Sequence, residues 1–170
     1  MQATEFIESN DPEIRQLSSE LKAHQSDVLG IITSFFNYVR AIPEEEIKEL
    51  MTAKEVLQRN AASCNGKSRL LVALCRSSNI PARVVGGLIL DNQRKKTSHL
   101  WAEVQLNNTW VPFDALNDHF AFIPANYLSI YRGDEYLITH SSDMAFDYFY
   151  TIQEQPICLL YTSPSPRDDR

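Results

Sequence analysis

The chain has 170 residues, 44% of them hydrophobic and 22% charged, which is enough apolar content for one sizeable core in one domain, two at most. A formal charge of −6 and a pI near 5.2 argue against a nucleic-acid surface, because phosphate binding needs clustered Lys and Arg. No apolar run approaches the roughly 20 residues that span a bilayer, and the opening MQATEFIESNDPEI lacks the basic and apolar regions of a secretory signal.

The first part reads as helical. Asp11-Pro12-Glu13 offers a cap, a first-turn Pro and a first-turn acid. Ser26 is placed to cap a second helix, whose Leu29, Ile32, Phe36 and Val39 recur at helical spacing and predict one buried stripe. Pro43 and the run Glu44-Glu45-Glu46 open a short acidic helix or turn. Thr52-Ala53-Lys54-Glu55 has capping-box form, and the helix it starts ends near Arg59. After a break at residues 60–63, Cys64 opens a run in which Lys67, Leu70, Leu71 and Leu74 fit a further helix, and Asn79 before Ile80-Pro81 is a left-handed helix stop.

The second part changes to period two. Residues 83–90 are β-branched and apolar, with Gly86-Gly87 predicting a bend or bulge. A polar loop with Arg94-Lys95-Lys96 reads as solvated, or as a guide for acidic groups at a cleft rim. From His99 to Leu106 the strand alternates: Leu100, Ala102, Val104 and Leu106 on one face; His99, Trp101, Glu103 and Gln105 on the other. Asn107-Asn108 is a tight-turn signal, and residues 109–114 form the return strand. A short helix near Pro124–Leu128 and closing strands at Tyr136–Thr139 and Met144–Ile152 are expected. From Cys158 the Ser/Pro/Arg/Asp-rich tail continues no element and reads as non-native or disordered.

Three cysteines, Cys64, Cys75 and Cys158, are too few for a disulfide scaffold and leave at least one free thiol. The four histidines do not stand at zinc-ligand spacing. Cys64 is the one that points to chemistry. At a helix start, free N–H groups and the dipole acidify a thiol and can hold an oxyanion; Lys67 one turn on would add to this. Cys75, inside the same helix, reads as an inert core thiol.

The hairpin supplies the second half of a site. If Asn107 and Asn108 are its two turn residues, Gln105 faces Trp110, Glu103 faces Pro112 and Trp101 faces Asp114. His99 and Asp114 then share a sheet face as diagonal neighbours, about 7–8 Å apart at Cα and within reach of a side-chain hydrogen bond. Trp101, on that face, either walls the cleft as a substrate contact or packs; Trp110 reads as packing. A thiolate on a helix start and a carboxylate-oriented histidine make a nucleophile, a base and an orienter.

Residues 52–114 resemble the transglutaminase-like superfamily of papain-like folds. The resemblance lies in Thr52-Ala53-Lys54-Glu55-Val56-Leu57, Ser63-Cys64-Asn65-Gly66-Lys67-Ser68, Ile80-Pro81-Ala82-Arg83, His99-Leu100-Trp101-Ala102-Glu103-Val104 and Trp110-Val111-Pro112-Phe113-Asp114. It implies Cys64 as nucleophile, His99 as general base and acid, and Asp114 as orienter. Ala62 and Asn79 stand where the family usually has glycine, and Leu88 where an aromatic is common. Residues 122–135 and 146–152 resemble the transglutaminase-like domain of bacterial seven-helix membrane proteins.

The expected fold is α+β: an N-terminal helical part (1–60) on a mostly antiparallel sheet, with the Cys64 helix buried against that sheet, all within one domain over 1–157. The expected function is acyl transfer or hydrolysis at peptide or isopeptide amide bonds, on a peptide or protein substrate, with no cofactor called for. The alternative is an inactive peptide-binding sensor domain of a membrane protein. The chain reads as soluble as given, and an upstream signal anchor would make it periplasmic. His119, His140, the sequon-like Asn107-Asn108-Thr109 and the tripeptide Arg132-Gly133-Asp134 read as surface and turn chemistry.

Overall fold

A computed structural model describes residues 2–45, 51–90 and 98–134. Four helices precede five strands: α1 (Pro12–Lys22), α2 (Val28–Ala41), α3 (Ala53–Arg59), α4 (Cys64–Ser77), β1 (Ala82–Ile89), β2 (Ser98–Leu106), β3 (Thr109–Asp114), β4 (His119–Phe120) and β5 (Tyr127–Arg132). The sheet runs β4-β3-β2-β1-β5, and every neighbouring pair is antiparallel.

The helix starts follow local chemistry. The Asp11 side chain accepts from the Glu13 N–H ahead of Pro12, and Thr52 and Glu55 form a reciprocal capping box. The second helix is capped by Asp27, not Ser26: the Asp27 carboxylate accepts from the Gly30 N–H at 2.8 Å. Adjacent residues both suited to capping leave such a one-residue choice to the loop's path. Asn60 and Asn79 adopt positive φ after α3 and α4, where their short polar side chains tolerate the left-handed region.

Helix α4 is the central element. Every residue from Gly66 to Cys75 is buried, because the sheet covers one side of the helix and α1, α2 and α3 cover the other. Leu70, Leu71 and Leu74 share one core with Ala82, Val84, Ala102, Val104 and Phe113. Gly66 permits the close approach of α3: a Cβ there would lie 2.6 Å from Val56 Cγ2. On α2 the buried stripe is Ile32, Phe35, Phe36 and Val39, whereas Leu29 is exposed in the first turn. Phe36 packs edge-on to Phe120 and beside Phe113, tying α2 to the β3–β4 end.

Asn107 and Asn108 both have positive φ, as a two-residue type I′ turn requires. The register runs Leu106 to Thr109, Gln105 to Trp110, Glu103 to Pro112 and Ala102 to Phe113. The β1–β5 pairing shifts between Gly86 and Gly87, the bulge those glycines predict. At Gly87 a Cβ would collide with the Leu128 carbonyl, so only glycine admits β5. The expected helix near Pro124–Leu128 is instead a turn, with the Tyr127 N–H on the Pro124 carbonyl, followed by β5. Alternate pairing against β1 outweighs the local helical cue. The expected closing strands, His140 and the tail from Cys158 lie outside the described residues.

The tripeptide Arg132-Gly133-Asp134 is the glycine turn its sequence suggests, with Arg132 exposed. Gly133 has φ of 119°, and its turn sends Asp134 inward to a buried ion pair with Arg69 Nε at 3.0 Å. Arg69 also donates to the Met51 carbonyl and lies over the Phe6 ring, while Thr4 donates to the second Asp134 oxygen. The N-terminal segment, α4 and the end of β5 meet at these two charges. Asp134→Ala strands a buried guanidinium, so a loss of about 3–5 kcal/mol is expected in urea denaturation. Asp118→Ala, which breaks the exposed pair with Arg40, is expected to cost at most about 1 kcal/mol.

Candidate active site

Cys64 is the first residue of α4. Its N-cap, Ser63, is extended and makes no side-chain hydrogen bond to the helix, so the protein's own cap does not occupy the first N–H groups. The loop before it is pinned. Ala62 donates to the Pro43 carbonyl and accepts from the Glu45 N–H, in a parallel bridge at Glu44. Across from Cys64 stands His99 on β2, whose imidazole lowers the thiol pKa; the thiol itself donates to Asn65 Oδ1 at 3.4 Å. Backbone N–H groups of Leu100 and Asn65 lower it as well.

The other end of the imidazole is committed. His99 Nε2 lies 2.6 Å from Asp114 Oδ2, with both side chains buried. Nδ1 is therefore the nitrogen left to exchange a proton with Cys64. The diagonal relation derived from the Asn107-Asn108 register is the one found.

Asp114 is held by more than His99. Its Oδ1 accepts from the Leu116 and Asn117 N–H groups at 3.0 and 3.3 Å. Its Oδ2 accepts from Asn117 Nδ2 at 2.9 Å and from the Tyr127 hydroxyl at 2.8 Å. Asn117 donates its second amide hydrogen to that hydroxyl, so a closed polar ring backs the carboxylate. The Tyr127 ring stands edge-on to His99 and Trp101. Neither Asn117 nor Tyr127 is singled out by motif. The Asp-x-x-Asn spacing is an Asx-turn cue that could have found the first; Tyr127 arrives from β5 and carries no local signal.

The electrostatics follow from these contacts. Burial pushes the Asp114 carboxyl up, but the hydrogen bond and charge of His99, with Asn117 and Tyr127, outweigh it and bring it to about 2. Burial pushes His99 down, but Asp114 and Cys64 raise it to about 9. Burial pushes the Cys64 thiol up; His99 and the two backbone N–H groups reverse this, and the net shift is downward. The arrangement favours a thiolate–imidazolium pair. Cys75, buried without such partners, is pushed up to about 12.

Two expected contributors stand elsewhere. Lys67 turns away from the thiol and donates to the Arg40 carbonyl at the end of α2, so the acidity of Cys64 owes nothing to a hydrogen bond from it. Trp101 is fully buried, stacked 6.4 Å behind His99, and offers no surface to a substrate. Both sheet faces are covered at that point of β2, which overrides the alternation. Trp110 does pack, with the Arg83 guanidinium 3.9 Å over its ring. His119 is half-buried against Phe122 and Tyr127.

The family profile of the transglutaminase-like superfamily matches residues 15–115. The chain belongs to the transglutaminase-like superfamily. The match spans α1 through β3 and contains Cys64, His99 and Asp114. Among solved structures, a protein described as a candidate cysteine protease from Cytophaga hutchinsonii is similar with a TM-score of 0.66 at 20% identity. That similarity covers 78% of this chain and 45% of that one. A candidate protease from Parabacteroides distasonis is similar with a TM-score of 0.51 at 12% identity, over 62% of this chain and 23% of that one. This transglutaminase-like chain thus spans less than half the length of either neighbour. No curated protein matches it. Among the described residues no helix is long and apolar enough to cross a membrane.

The pH dependence of iodoacetamide alkylation, read by peptide mass, tests the pair. Cys64 labelling is expected to be half-maximal below the ordinary thiol value of about 8.5, and to move upward in His99→Ala, where the backbone N–H groups alone oppose burial. Cys75 is expected to stay unlabelled in the folded protein.

Asp114 gives a second expectation. Its folded value of about 2 lies below the unfolded value of about 3.9, so its stabilisation is present above pH 4 and is lost as pH falls toward 2. Tyr127→Phe removes one donor and raises the folded value toward the unfolded one, so a urea-midpoint series is expected to show a smaller acid loss that is complete at higher pH.

Proposed function

We propose that this chain is a cysteine acyl-transfer enzyme acting on peptide or isopeptide amides through Cys64, His99 and Asp114. The observation that carries the reading is the buried hydrogen bond from His99 to Asp114 at 2.6 Å, with Cys64 at the start of α4 facing the same imidazole. Membership of the transglutaminase-like superfamily agrees with it.

The thiolate of Cys64 attacks the amide carbonyl carbon, and the carbonyl electron pair moves onto oxygen. The free N–H groups at the start of α4 are suited to that negative charge. His99, as imidazolium, gives its Nδ1 proton to the leaving nitrogen as the C–N bond breaks, which leaves a thioester on Cys64. Water or an amine then attacks the thioester while His99 takes the incoming proton, and the acid or the new amide departs with thiolate restored. Asp114 stays ionised throughout and holds the imidazole in one orientation.

This chemistry uses no metal or cofactor. Hydrolysis and transamidation share every step up to the thioester, so the second nucleophile alone divides them. Cys64→Ala is expected to abolish release of ammonia or amine from peptide amides, with an unchanged circular-dichroism melt. Turnover persisting in that variant would overturn the mechanism.

A further inference from the structure

The geometry points to Tyr131 as a further catalytic residue, its hydroxyl donating to the acyl oxygen of the substrate as Cys64 attacks. This rests on the acyl-transfer reading above and adds to it a donor that comes from the sheet.

The strand registers place the residue. Tyr131 on β5 is paired with Gly86 on β1, and Gly86 is paired with Leu100 on β2. The three form one row across adjacent strands about 4.8 Å apart. Leu100 is where the first turns of α4 meet the sheet: its carbonyl accepts from Ser68 Oγ, one turn after Cys64, at 2.9 Å, and its N–H helps to lower the Cys64 thiol pKa. The row therefore runs from Tyr131 to the nucleophile.

The ring lies along this row. A Cβ on Gly86 would fall onto the outer end of the Tyr131 ring, at Cε1, Cζ and the hydroxyl. The phenol oxygen thus sits above β1, one strand spacing from Leu100, and Gly86 is the seat that a larger residue would fill. Among the described residues the hydroxyl has no hydrogen-bond partner, and the ring is only half-buried. Trp101 also has an unpartnered N–H, but that indole is fully buried behind His99 and cannot meet a substrate.

The seat is rigid. The Gly133 N–H donates to the Val84 carbonyl at 2.8 Å just past Tyr131, and Asp134 is locked to Arg69 of α4. Helix, strand end and ring are thereby held in one frame, as a preorganised donor requires. Burial, Asp134 and the charge of Cys64 raise the phenol above its ordinary value against an opposing effect of Arg69. The group keeps its proton beside a thiolate and serves as a donor, not as a base.

Two reagents separate this role from a structural one. p-Nitrophenyl acetate acylates a thiolate through a tetrahedral oxyanion, whereas iodoacetamide alkylates it by displacing iodide and builds no charge on oxygen. In the full chain, Tyr131→Phe keeps the ring on Gly86 and removes only the hydroxyl. Acylation of Cys64, followed by nitrophenolate release and peptide mass, is expected to slow about 10- to 100-fold, in the lower range for one oxyanion donor. Alkylation of Cys64 is expected to stay within about twofold of the parent, as one expects when no oxyanion forms. Unchanged acylation overturns the assignment, and so does equal slowing of both reactions, which would make Tyr131 a support for the thiolate. Failure of the parent protein to acylate at Cys64 at all would overturn the acyl-transfer reading, and this assignment with it.

Discussion

The register of the β2–β3 hairpin is the constraint on which the site depends. Side chains alternate with period two, so a slip of one residue would carry His99 and Asp114 to opposite faces. The two asparagines at 107 and 108 prevent that slip because both central positions adopt positive φ, which suits a two-residue loop to the right-handed twist of the strands. The turn is distant from the chemistry along the strands, yet it selects the pairing that brings His99 Nε2 within 2.6 Å of Asp114. The opposite face of β2 supports the same choice. Ala102 and Val104 lie in the core beneath α4, so a slipped strand would expose them and bury Glu103.

Buried charge is resolved in three different ways around α4. Asp114 receives donors on both oxygens and stays ionised. Arg69 and Asp134 neutralise each other and take up further bonds from Met51 and Thr4. Lys67 reaches the last turn of α2 and donates to the Arg40 carbonyl, where a cation also meets the negative end of the helix dipole. Arg69 and Lys67 thus tie α4 to other elements, so the helix that carries Cys64 is fixed by polar contacts as well as by its leucines. Apolar burial alone would allow α4 to rock or slide against the sheet, whereas each of these bonds has a direction.

Much of this arrangement was legible in local residue patterns. Pro12, the Thr52–Glu55 capping box and the Asn107-Asn108 pair act within a few residues of themselves, so short-range rules describe them. The elements that escaped depend on distant partners. Tyr127 and Leu128 pair with Ile89 and Leu88 of β1, far away in sequence, and nothing in Pro-Ala-Asn-Tyr-Leu announces that pairing. Trp101 follows the alternation correctly onto the His99 face, but period two cannot say whether that face is open or covered. Lys67 fits the helix that bears it, and only the position of α2 decides where its long side chain ends. The same holds for Tyr127, which becomes part of the polar ring because the turn after Pro124 returns the chain to the sheet. Cys64, His99 and Asp114 could be selected together because two of them sit on one hairpin and the third opens a recognisable helix.

The departures from the family pattern are absorbed by local physics. Asn79, in place of glycine, reaches a φ of 60° at a cost that an asparagine tolerates. Ala62, two residues before the nucleophile, is fully buried and lies within a backbone bridge to Glu44, so that stretch of loop does not need the freedom of glycine. Gly66 lies on the other side of the nucleophile, and a Cβ there would stand 3.0 Å from the Cβ of Ala62. The small residue required for close approach is therefore one turn into the helix, opposite the loop. The Cys64 thiol pKa is lowered at that helix start, and the polar ring behind Asp114 holds the His99 imidazole in one orientation.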